Sequence, residues 1–298
     1  MAQTTANGIS IEYEIFGAAN AEPVLLIMGL GAQLTLWPVE LCEALVARGF
    51  RVIRYDNRDV GLSTKFEAAG APQLPAVIGA ILSGQDPKVP YRLDDMAADA
   101  VGLLDALGID RAHIVGASMG GMIAQLVAAD HPTRTLSLTS IMSSTGNPAL
   151  PPATSEAMGV LMSRPQGDDL DALVEFGVNA ARVIGSPDYP ADETALRARV
   201  RRDVERSVYP AGFARQMAAI YASGDRRAKL AGITAPTIVV HGTADPLVPV
   251  DAGRDTAANI KGAELIEIDG MGHDLPVALV DRIADAVAAV AARARATS

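Results

Sequence analysis

The chain has 298 residues, of which 49% are apolar and 20% are charged. A chain of this length and composition suits one large α/β domain, alone or with a lid, and it gives no indication of disorder. The formal net charge of −10 argues against nucleic acid or an anionic membrane surface as a partner, because both attract basic patches. The single cysteine, Cys42, excludes a disulfide framework and a cysteine-rich metal site within the chain.

The sequence carries no pattern that predicts export or a membrane anchor. Its first residues lack a basic stretch followed by an apolar one, and no apolar run is long enough to span a bilayer. We therefore expect a cytoplasmic protein. No cluster of metal-ligating residue types stands out, so we expect neither a metal nor a cofactor. The oligomeric state stays open between a monomer and a homodimer.

Short β-rich segments alternate with longer helical patterns along most of the chain. This order predicts a mostly parallel sheet with helices on both of its faces. Gly108 is expected to end one of the helices, because glycine readily adopts the left-handed conformation of a C-terminal cap. The predicted strands are Ile9–Phe16, Val24–Met28, Arg51–Tyr55, His113–Val115, Leu136–Met142, Thr237–His241 and Glu264–Ile268. The predicted helices are Leu41–Ala47, Leu93–Leu107, Met119–Asp130 and Asp281–Ala294.

One long segment interrupts this alternation. Residues 143–230 contain helical patterns broken by proline and glycine, but no clear strand. We predict that this segment is a helical cap inserted between two strands of the sheet. Residues 1–142 and 231–298 would then form the core domain.

A short motif in the middle of the chain points to a nucleophile. Gly116-Ala117-Ser118-Met119-Gly120 matches the pattern G-x-S-x-G, and it lies directly after a predicted strand and directly before a predicted helix. A sharp strand-to-helix turn exposes the serine hydroxyl, and it crowds the neighbouring backbone so that only small residues fit two positions away. The helix N-terminus adds free N–H groups beside the oxygen. Ser118 is therefore the predicted nucleophile.

A serine hydroxyl needs an adjacent base, and the chain has four histidines. His113 lies inside the strand that leads to Ser118, His131 lies at the far end of the following helix, and His241 is expected to be a structural strand-end residue. His273 follows the last predicted strand through a glycine-rich loop, so it is the predicted base.

The base in turn needs a carboxylate that orients its ring. Asp245 lies in the loop after the penultimate strand, beside the predicted loop of His273, and gives the chain order Ser, Asp, His. Asp274 is too close in sequence to His273, and Asp251 is expected to begin a helix. We therefore predict that Asp245 is the acid.

Acyl transfer also needs donors for the oxygen that becomes negative, usually two backbone N–H groups. One donor is predicted to be the N–H of Met119, directly after the nucleophile. The other is predicted to be the N–H of Leu30, in the loop after the strand Val24–Met28. Gly29 and Gly31 on either side would let that loop approach closely.

With these motifs in place, the sequence resembles the α/β-hydrolase superfamily over nearly its whole length. Asp56–Ser63 resembles the D-x-R-G-x-G-x-S segment of that family, Gly242–Pro249 its acid loop and Gly270–His273 its histidine loop. The resemblance implies the α/β-hydrolase fold. Within the superfamily, the sequence looks most like esterases related to aclacinomycin methylesterase, because of Met28-Gly29, Arg54–Asp56 and Met271–His273.

The sequence departs from the family pattern at two positions. Many members have His-Gly where this chain has Met28-Gly29, so one polar support of the oxyanion loop is missing. Asp59 replaces a glycine, which is expected to alter the turn. Neither change removes a predicted catalytic group.

The resemblance leaves several reactions open. A serine nucleophile argues against dehalogenases and epoxide hydrolases of the superfamily, which use aspartate. We expect a carboxylesterase that cleaves a medium-sized lipophilic ester through an acyl-enzyme. Alternatives are a cofactor-free haloperoxidase or perhydrolase, a carbon–carbon or lactone hydrolase with the same triad, and a non-catalytic protein that binds small molecules on this fold.

The pocket is expected to be apolar. Met28, Gly29 and Met142 are predicted to contact the substrate, because all three fall near strand ends at the site and flexible thioethers suit a loosely shaped lipophilic ligand. The alternative interpretation is that the methionines only pack the core.

Overall fold

A single eight-stranded sheet organises the computed structural model, which describes residues 1–163 and 165–297. The strand order is β1-β2-β4-β3-β5-β6-β7-β8, in which β2 pairs antiparallel with both β1 and β4 and all other neighbours pair parallel. The predicted mostly parallel sheet is confirmed. The strands are β1 (Ala2–Ala6), β2 (Ile9–Phe16), β3 (Glu22–Ile27), β4 (Phe50–Tyr55), β5 (Ala112–Ala117), β6 (Thr135–Ile141), β7 (Thr237–Gly242) and β8 (Glu264–Ile268).

Helices cover both faces of this sheet. On one face, α3 and α4 pack over Leu25 and Ile27; on the other, α1 and α11 pack over Val24 and Leu26. Alternate residues of β3 thus enter two separate cores, which explains its continuous apolar sequence. The first helices are α1 (Val39–Ala47), α2 (Leu74–Leu82), α3 (Leu93–Ala106) and α4 (Met119–Asp130). The later ones are α5 (Ser155–Met162), α6 (Leu170–Ile184), α7 (Glu193–Arg206), α8 (Pro210–Ser223), α9 (Arg227–Leu230), α10 (Asp251–Ala258) and α11 (Val280–Thr297).

Short 3₁₀ turns complete the list of elements. They are Leu34–Leu36, Glu67–Ala69, Pro132–Arg134 and Val277–Leu279. Helix α3 ends where the sequence indicates, since Gly108 has φ +66° and its N–H donates to the Asp105 carbonyl at 3.0 Å. No helix within the described ranges combines the length and the hydropathy needed to cross a membrane.

The edge strand β1 is absent from the sequence-based assignment. Its five residues are small or polar and mostly exposed, so the sequence shows little alternation between apolar and polar residues. It joins β2 through Asn7 and Gly8, which have φ of +49° and +77°, and Ala6 pairs with Ile9 across the turn. Positive φ at both central residues is the signature of a type I′ hairpin, for which Asn-Gly is the preferred sequence. The Asn-Gly pair could therefore have revealed this strand.

Helices α5 to α9 lie in the segment that was predicted as a cap. Val174, Val178, Leu196 and Val200 form a small apolar cluster between α6 and α7, separate from the two main cores. Helix α8, in contrast, packs against α2 and α3, and α9 packs against α4. Arg164, inside this predicted cap, and Ser298, at the end of the predicted core, lie outside the described residues. That residues 143–230 act as a cap stays a prediction.

The parallel strands bring the predicted site residues to one edge of the sheet. Strands β3, β5, β7 and β8 run in the same direction, and each is followed by a loop that carries one of these residues. Ligand sites of open α/β sheets lie at this carboxyl edge. The loops contribute Leu30, Ser118, Asp245 and His273, respectively.

Candidate active site

Ser118 occupies the strand-to-helix turn between β5 and α4. Its backbone has φ +56° and ψ −124°, which is rare for a residue with a side chain and is maintained only where the surroundings enforce it. The Ser118 N–H donates to the Ile141 carbonyl at 2.9 Å, and the Ser143 hydroxyl donates to the Ser118 carbonyl at 2.8 Å. Although Ser118 occupies the N-cap position, its side chain does not cap α4. The hydroxyl is therefore available for other chemistry.

The glycines around Ser118 are required by close backbone contacts. A Cβ atom at Gly116 would lie 2.1 Å from the Gly120 carbonyl oxygen. A Cβ atom at Gly120 would lie 2.0 Å from the Ile27 carbonyl oxygen at the end of β3. These distances are far shorter than real Cβ contacts, so the sharp turn fits only if both positions lack a side chain.

The imidazole of His273 reaches the hydroxyl from the loop after β8. Its Nε2 lies 2.9 Å from Ser118 Oγ. The loop is held from the side by residues at and just after the end of α6: the His273 N–H donates to the Ile184 carbonyl at 2.7 Å, and the Gly272 N–H donates to Ser186 Oγ at 2.8 Å. The histidine ring is buried, so its position is fixed by packing as well as by these bonds.

Asp245 completes the row of groups. Its Oδ2 lies 2.7 Å from His273 Nδ1, while its Oδ1 accepts the N–H groups of Leu247 and Val248 at 2.9 and 2.8 Å. Burial alone would raise the pKa of Asp245, but the His273 charge and the hydrogen bonds from histidine and backbone outweigh it and hold the pKa well below its ordinary value. The carboxylate is ionised at neutral pH, so it accepts the proton on Nδ1 and leaves Nε2 free to accept the serine hydroxyl.

His241 supports the acid from behind. It is fully buried at the end of β7, its Nε2 donates to the Val248 carbonyl at 2.7 Å, and it lies 3.6 Å from Asp245 Oδ2. A Cβ atom at Gly253 would lie 2.5 Å from the ring, so α10 packs directly on the imidazole. His241 thus lies at a strand end, as expected from the sequence, and its ring also contacts the loop that carries Asp245.

The backbone N–H groups of Leu30 and Met119 belong to the two segments that meet at Ser118, and both are left without an internal partner among the residues that the structure describes. Within residues 1–163 and 165–297, neither the Leu30 N–H nor the Met119 N–H meets a protein acceptor. Gly29 packs against the nucleophile, since a Cβ atom at Gly29 would lie 3.1 Å from Ser118 Cβ. Met119 begins α4, so the positive end of the helix dipole points at the same place. The arrangement is suited to an oxygen that acquires negative charge.

Sequence reasoning missed the polar groups that support these loops. Asn57 Nδ2 donates to the Met28 carbonyl at 2.8 Å, and Asp56 Oδ1 accepts the Leu34 N–H at 2.7 Å. Both residues belong to the segment Asp56–Ser63, whose family resemblance was the only available signal. The segment therefore supports the oxyanion loop from the neighbouring strand end.

The unusual aspartate of that segment has a partner in α8. Asp59 has φ +67°, and its two carboxylate oxygens each lie 2.8 Å from the guanidinium of Arg215. The Phe66 N–H and the Tyr91 hydroxyl donate to the same carboxylate at 2.8 and 2.7 Å. Burial alone would raise the pKa of Asp59, but these hydrogen bonds outweigh it and hold the pKa below its ordinary value.

The methionines predicted to bind substrate lie in the core. Met28 and Met142 are almost completely buried in the cluster that faces α1 and α11. Their contact with substrate stays a prediction, as does that of Gly29. No group of three or more metal-ligating side chains occurs in the described part of the chain.

Comparison with known proteins places this site in a family. A sequence profile of the α/β hydrolase fold matches residues 22–277, and the chain belongs to this family. The chain is 31% identical to the rhodomycin D methylesterase DauP of Streptomyces sp. strain C5, over 96% of each chain. It is 33% identical to the putative carbamate hydrolase RutD of Variovorax paradoxus, over 88% of this chain and 89% of the relative. The predicted superfamily and the resemblance to methylesterases are confirmed.

Solved structures agree on the fold. The meta-cleavage product hydrolase CumD of Pseudomonas fluorescens IP01 superposes with a TM-score of 0.76 at 21% identity, and the two chains cover 99% and 98% of each other. The enol-lactonase of Burkholderia xenovorans LB400 has a TM-score of 0.70 at 26% identity, with 99% and 100% coverage. This fold is therefore shared by proteins that are named for different hydrolytic reactions.

Proposed function

We propose that the protein is a serine carboxylesterase in which Ser118 is the nucleophile, His273 the base and Asp245 the acid. The observation that carries this proposal is the unbroken hydrogen-bonded row from Asp245 Oδ2 to His273 Nδ1 at 2.7 Å and from His273 Nε2 to Ser118 Oγ at 2.9 Å. Nucleophile, base and orienting carboxylate within hydrogen-bonding reach are what covalent acyl transfer requires.

The first half of the proposed reaction forms an acyl-enzyme. Ser118 Oγ attacks the ester carbonyl carbon while His273 Nε2 takes the hydroxyl proton. The tetrahedral intermediate collapses, the carbon–oxygen bond to the alcohol breaks, and the leaving alkoxide takes the proton from Nε2. Asp245 holds the ring and stabilises its charged form, which is consistent with a carboxylate whose pKa is lowered.

The second half repeats these steps with water. A water molecule gives its proton to His273 Nε2 and attacks the acyl carbon, and the bond to Ser118 Oγ breaks as the serine regains that proton. The products are a carboxylic acid and an alcohol. In both halves, the N–H groups of Leu30 and Met119 are proposed to receive the oxyanion, for which the loss of one donor typically costs about 100- to 1000-fold in kcat.

The proposed substrate is a methyl ester of a bulky lipophilic acid. The support for this choice is the similarity to methylesterase relatives at 31% and 30% identity. We propose further that residues 143–230 form a cap over the acyl group. A cytoplasmic location belongs to the same proposal, and the free, buried thiol of Cys42 is compatible with a reducing compartment.

The test measures hydrolysis of aryl-substituted methyl esters by the wild-type protein, by Ser118→Ala and by Ser83→Ala, which removes an exposed hydroxyl at the end of α2. We expect Ser118→Ala to lose roughly a million-fold in kcat, since triad members act as a unit. Ser83→Ala should match the wild type. Equal turnover by Ser118→Ala and wild type would overturn the proposal, as would preferred turnover of lactones, carbon–carbon bonds or peroxide-dependent halogenation.

A further inference from the structure

The oxyanion loop, residues 28–31, contains no polar side chain that could hold it in place. Its sequence is Met28-Gly29-Leu30-Gly31, so any side-chain support must come from elsewhere in the fold. It forms a tight turn, closed by the Ala32 N–H donating to the Gly29 carbonyl at 3.3 Å. Gly31, the third residue of that turn, has φ +66° and is solvent-exposed. Something outside the loop must therefore hold it.

A glutamine from a distant helix provides this contact. Gln216 of α8 accepts the Gly31 N–H on its Oε1 at 2.8 Å, although the two residues are 185 positions apart. The Gln216 Nε2 donates to the Arg58 carbonyl at 2.8 Å. The side chain is fully buried and its two ends have different partners, so the orientation of the amide is fixed.

Helix α8 is anchored firmly enough to position the loop. Arg215, the neighbour of Gln216, binds both oxygens of the Asp59 carboxylate at 2.8 Å. The ring of Phe213 lies against the loop, since a Cβ atom at Gly31 would be 2.8 Å from it. Three side chains of one helix thus contact the loop or the segment beside it.

The opposite end of the loop is held separately. Asn57 Nδ2 donates to the Met28 carbonyl at 2.8 Å, directly before Gly29. Between these two anchors lies the N–H of Leu30. The peptide between Leu30 and Gly31 is the middle peptide of the turn, which rotates when a turn changes type, and Gly31 offers little resistance to that rotation.

We propose that Gln216 is a positioning residue of the oxyanion hole: by accepting the Gly31 N–H, it fixes the turn that aims the Leu30 N–H at the reacting carbonyl oxygen. This inference rests on the proposed function. Gln216 does not touch the substrate. Because negative charge on the oxygen develops only in the transition state, loss of this alignment lowers kcat and leaves substrate binding nearly unchanged.

The test compares two buried glutamines. Gln216→Met removes the acceptor with little change of volume. Gln125→Met is the matched control, because Gln125 is equally buried in α4 and donates to Ser140 Oγ at 3.1 Å, away from the loop. We expect Gln216→Met to lose about 10- to 100-fold in kcat with KM within about threefold, less than the loss of a whole oxyanion donor. Gln125→Met should keep the kcat of the wild type.

A transition-state analogue separates positioning from a structural role. A trifluoromethyl ketone forms a tetrahedral adduct whose oxygen occupies the oxyanion hole, so its affinity should fall in Gln216→Met by the same factor as kcat/KM. Gln216→Glu keeps an acceptor for the Gly31 N–H and should therefore lose less kcat than Gln216→Met. Affinity that stays constant while kcat falls, or equal losses in the two variants, would overturn the inference.

Labelling of Ser118 shows whether a negative result concerns only the role of Gln216 or the proposed function as a whole. An organophosphate that labels Ser118 in the wild type and in Gln216→Met counts the competent sites in each preparation. If Ser118 is labelled fully in both and kcat is equal, only the role of Gln216 fails. If the wild-type Ser118 is not labelled, the proposed function itself fails.

Discussion

The two loops that approach the reacting carbonyl are built in opposite ways. The nucleophile loop, residues 116–121, is shaped by its own glycines, because neighbouring backbone occupies the space that a side chain at Gly116 or Gly120 would need. The oxyanion loop, residues 28–31, is instead held by Asn57 and Gln216, which belong to other elements. The position of the nucleophile is therefore determined by adjacent residues, whereas the position of the oxyanion donor depends on the packing of a helix far away in the chain.

The proposed acid and base differ in the same way, since one is held by nearby residues and the other by distant ones. Asp245 is oriented by N–H groups two and three residues ahead of it. The His273 loop is held by Ile184, the last residue of α6, and by Ser186 just after it, which lie in another part of the chain. Local groups thus place the nucleophile and the acid, and the segment predicted as a cap helps to place the base and the oxyanion loop. Displacement of that segment should impair catalysis without removing any reacting group.

The largest effect on kcat is expected from Asp245→Asn, which changes the acid that is oriented by its own loop. The asparagine Oδ1 can still accept the Leu247 and Val248 N–H groups, so the loop should keep its shape. Its amide would face His273 Nδ1 and favour the tautomer with a proton on Nε2, which cannot accept the serine proton. We expect kcat to fall by about 10⁴-fold, as is typical when a triad aspartate becomes asparagine. Steady-state kinetics with a methyl ester measure this change.

Thermal unfolding serves as the control for Asp245→Asn. A folded variant with the reduced kcat supports the local role of the carboxylate. A variant that keeps kcat within about tenfold of the wild type would show that the row of hydrogen bonds does not orient the base.

Arg215→Met tests the long-range contact by which α8 is anchored to Asp59. The substitution leaves the buried Asp59 carboxylate without its cation, and breaking such a pair from one side typically costs about 3–5 kcal/mol of unfolding free energy. The pKa of Asp59 is held below its ordinary value in the wild type, so the stabilisation is present above about pH 4 and is lost as the pH falls below it. Urea titrations at pH 7 and at about pH 3 should therefore show a smaller difference between the two proteins at the lower pH.

Arg197→Met is the matched control for Arg215→Met. Arg197 pairs with Glu175 on the exposed surface of α7, so its removal should leave stability unchanged within error. A loss for Arg197→Met as large as that for Arg215→Met would contradict the account, and so would a loss for Arg215→Met that does not depend on pH.

The smallest expected effect comes from a single methyl group in the nucleophile loop. Gly120→Ala places a Cβ atom 2.0 Å from the Ile27 carbonyl oxygen, which forces the backbone of β3 or α4 to move. We expect a loss of about 3 kcal/mol of unfolding free energy, at the upper end of overpacked cores. Chemical denaturation measures it, and kcat should fall because β3 leads into the oxyanion loop.

Gly159→Ala in α5 is the control and should change the unfolding free energy in the opposite direction. No atom lies within 4 Å of a Cβ at this position, and alanine favours a helix, so stability should rise by up to about 1 kcal/mol. Equal effects of the two substitutions would show that the close contact at Gly120 is not a constraint.

The sequence alone predicts the parts of the molecule that depend on neighbouring residues. Apolar runs predict β3 to β8 to within a few residues, and the loops after β5, β7 and β8 predict the three side chains that the structure brings together. Strand β1 is not predicted, because its mostly exposed residues show too little alternation between apolar and polar side chains. Residues 143–230 are predicted to be helical, but the bounds of their helices are not, and the apolar faces of α6 and α7 meet each other rather than the main core.

Long-range polar contacts explain the rest of what the sequence does not reveal. Nothing in the vicinity of Gln216 indicates that its amide holds Gly31, and Asp59 is recognisable only as a departure from a family pattern. Such contacts depend on the final position of α8, which the apolar pattern of that helix leaves undetermined. The supports of the site are therefore visible only in three dimensions.

The most direct test of the central claim is the reaction of the protein with diethyl 4-nitrophenyl phosphate, followed by mass spectrometry. We expect one equivalent of 4-nitrophenolate per chain, a diethylphosphoryl group on Ser118, and labelling that is roughly 100- to 10,000-fold slower in His273→Ala because the base is missing. An adduct on another residue, or an unchanged rate in His273→Ala, would contradict the assignment of Ser118 and His273.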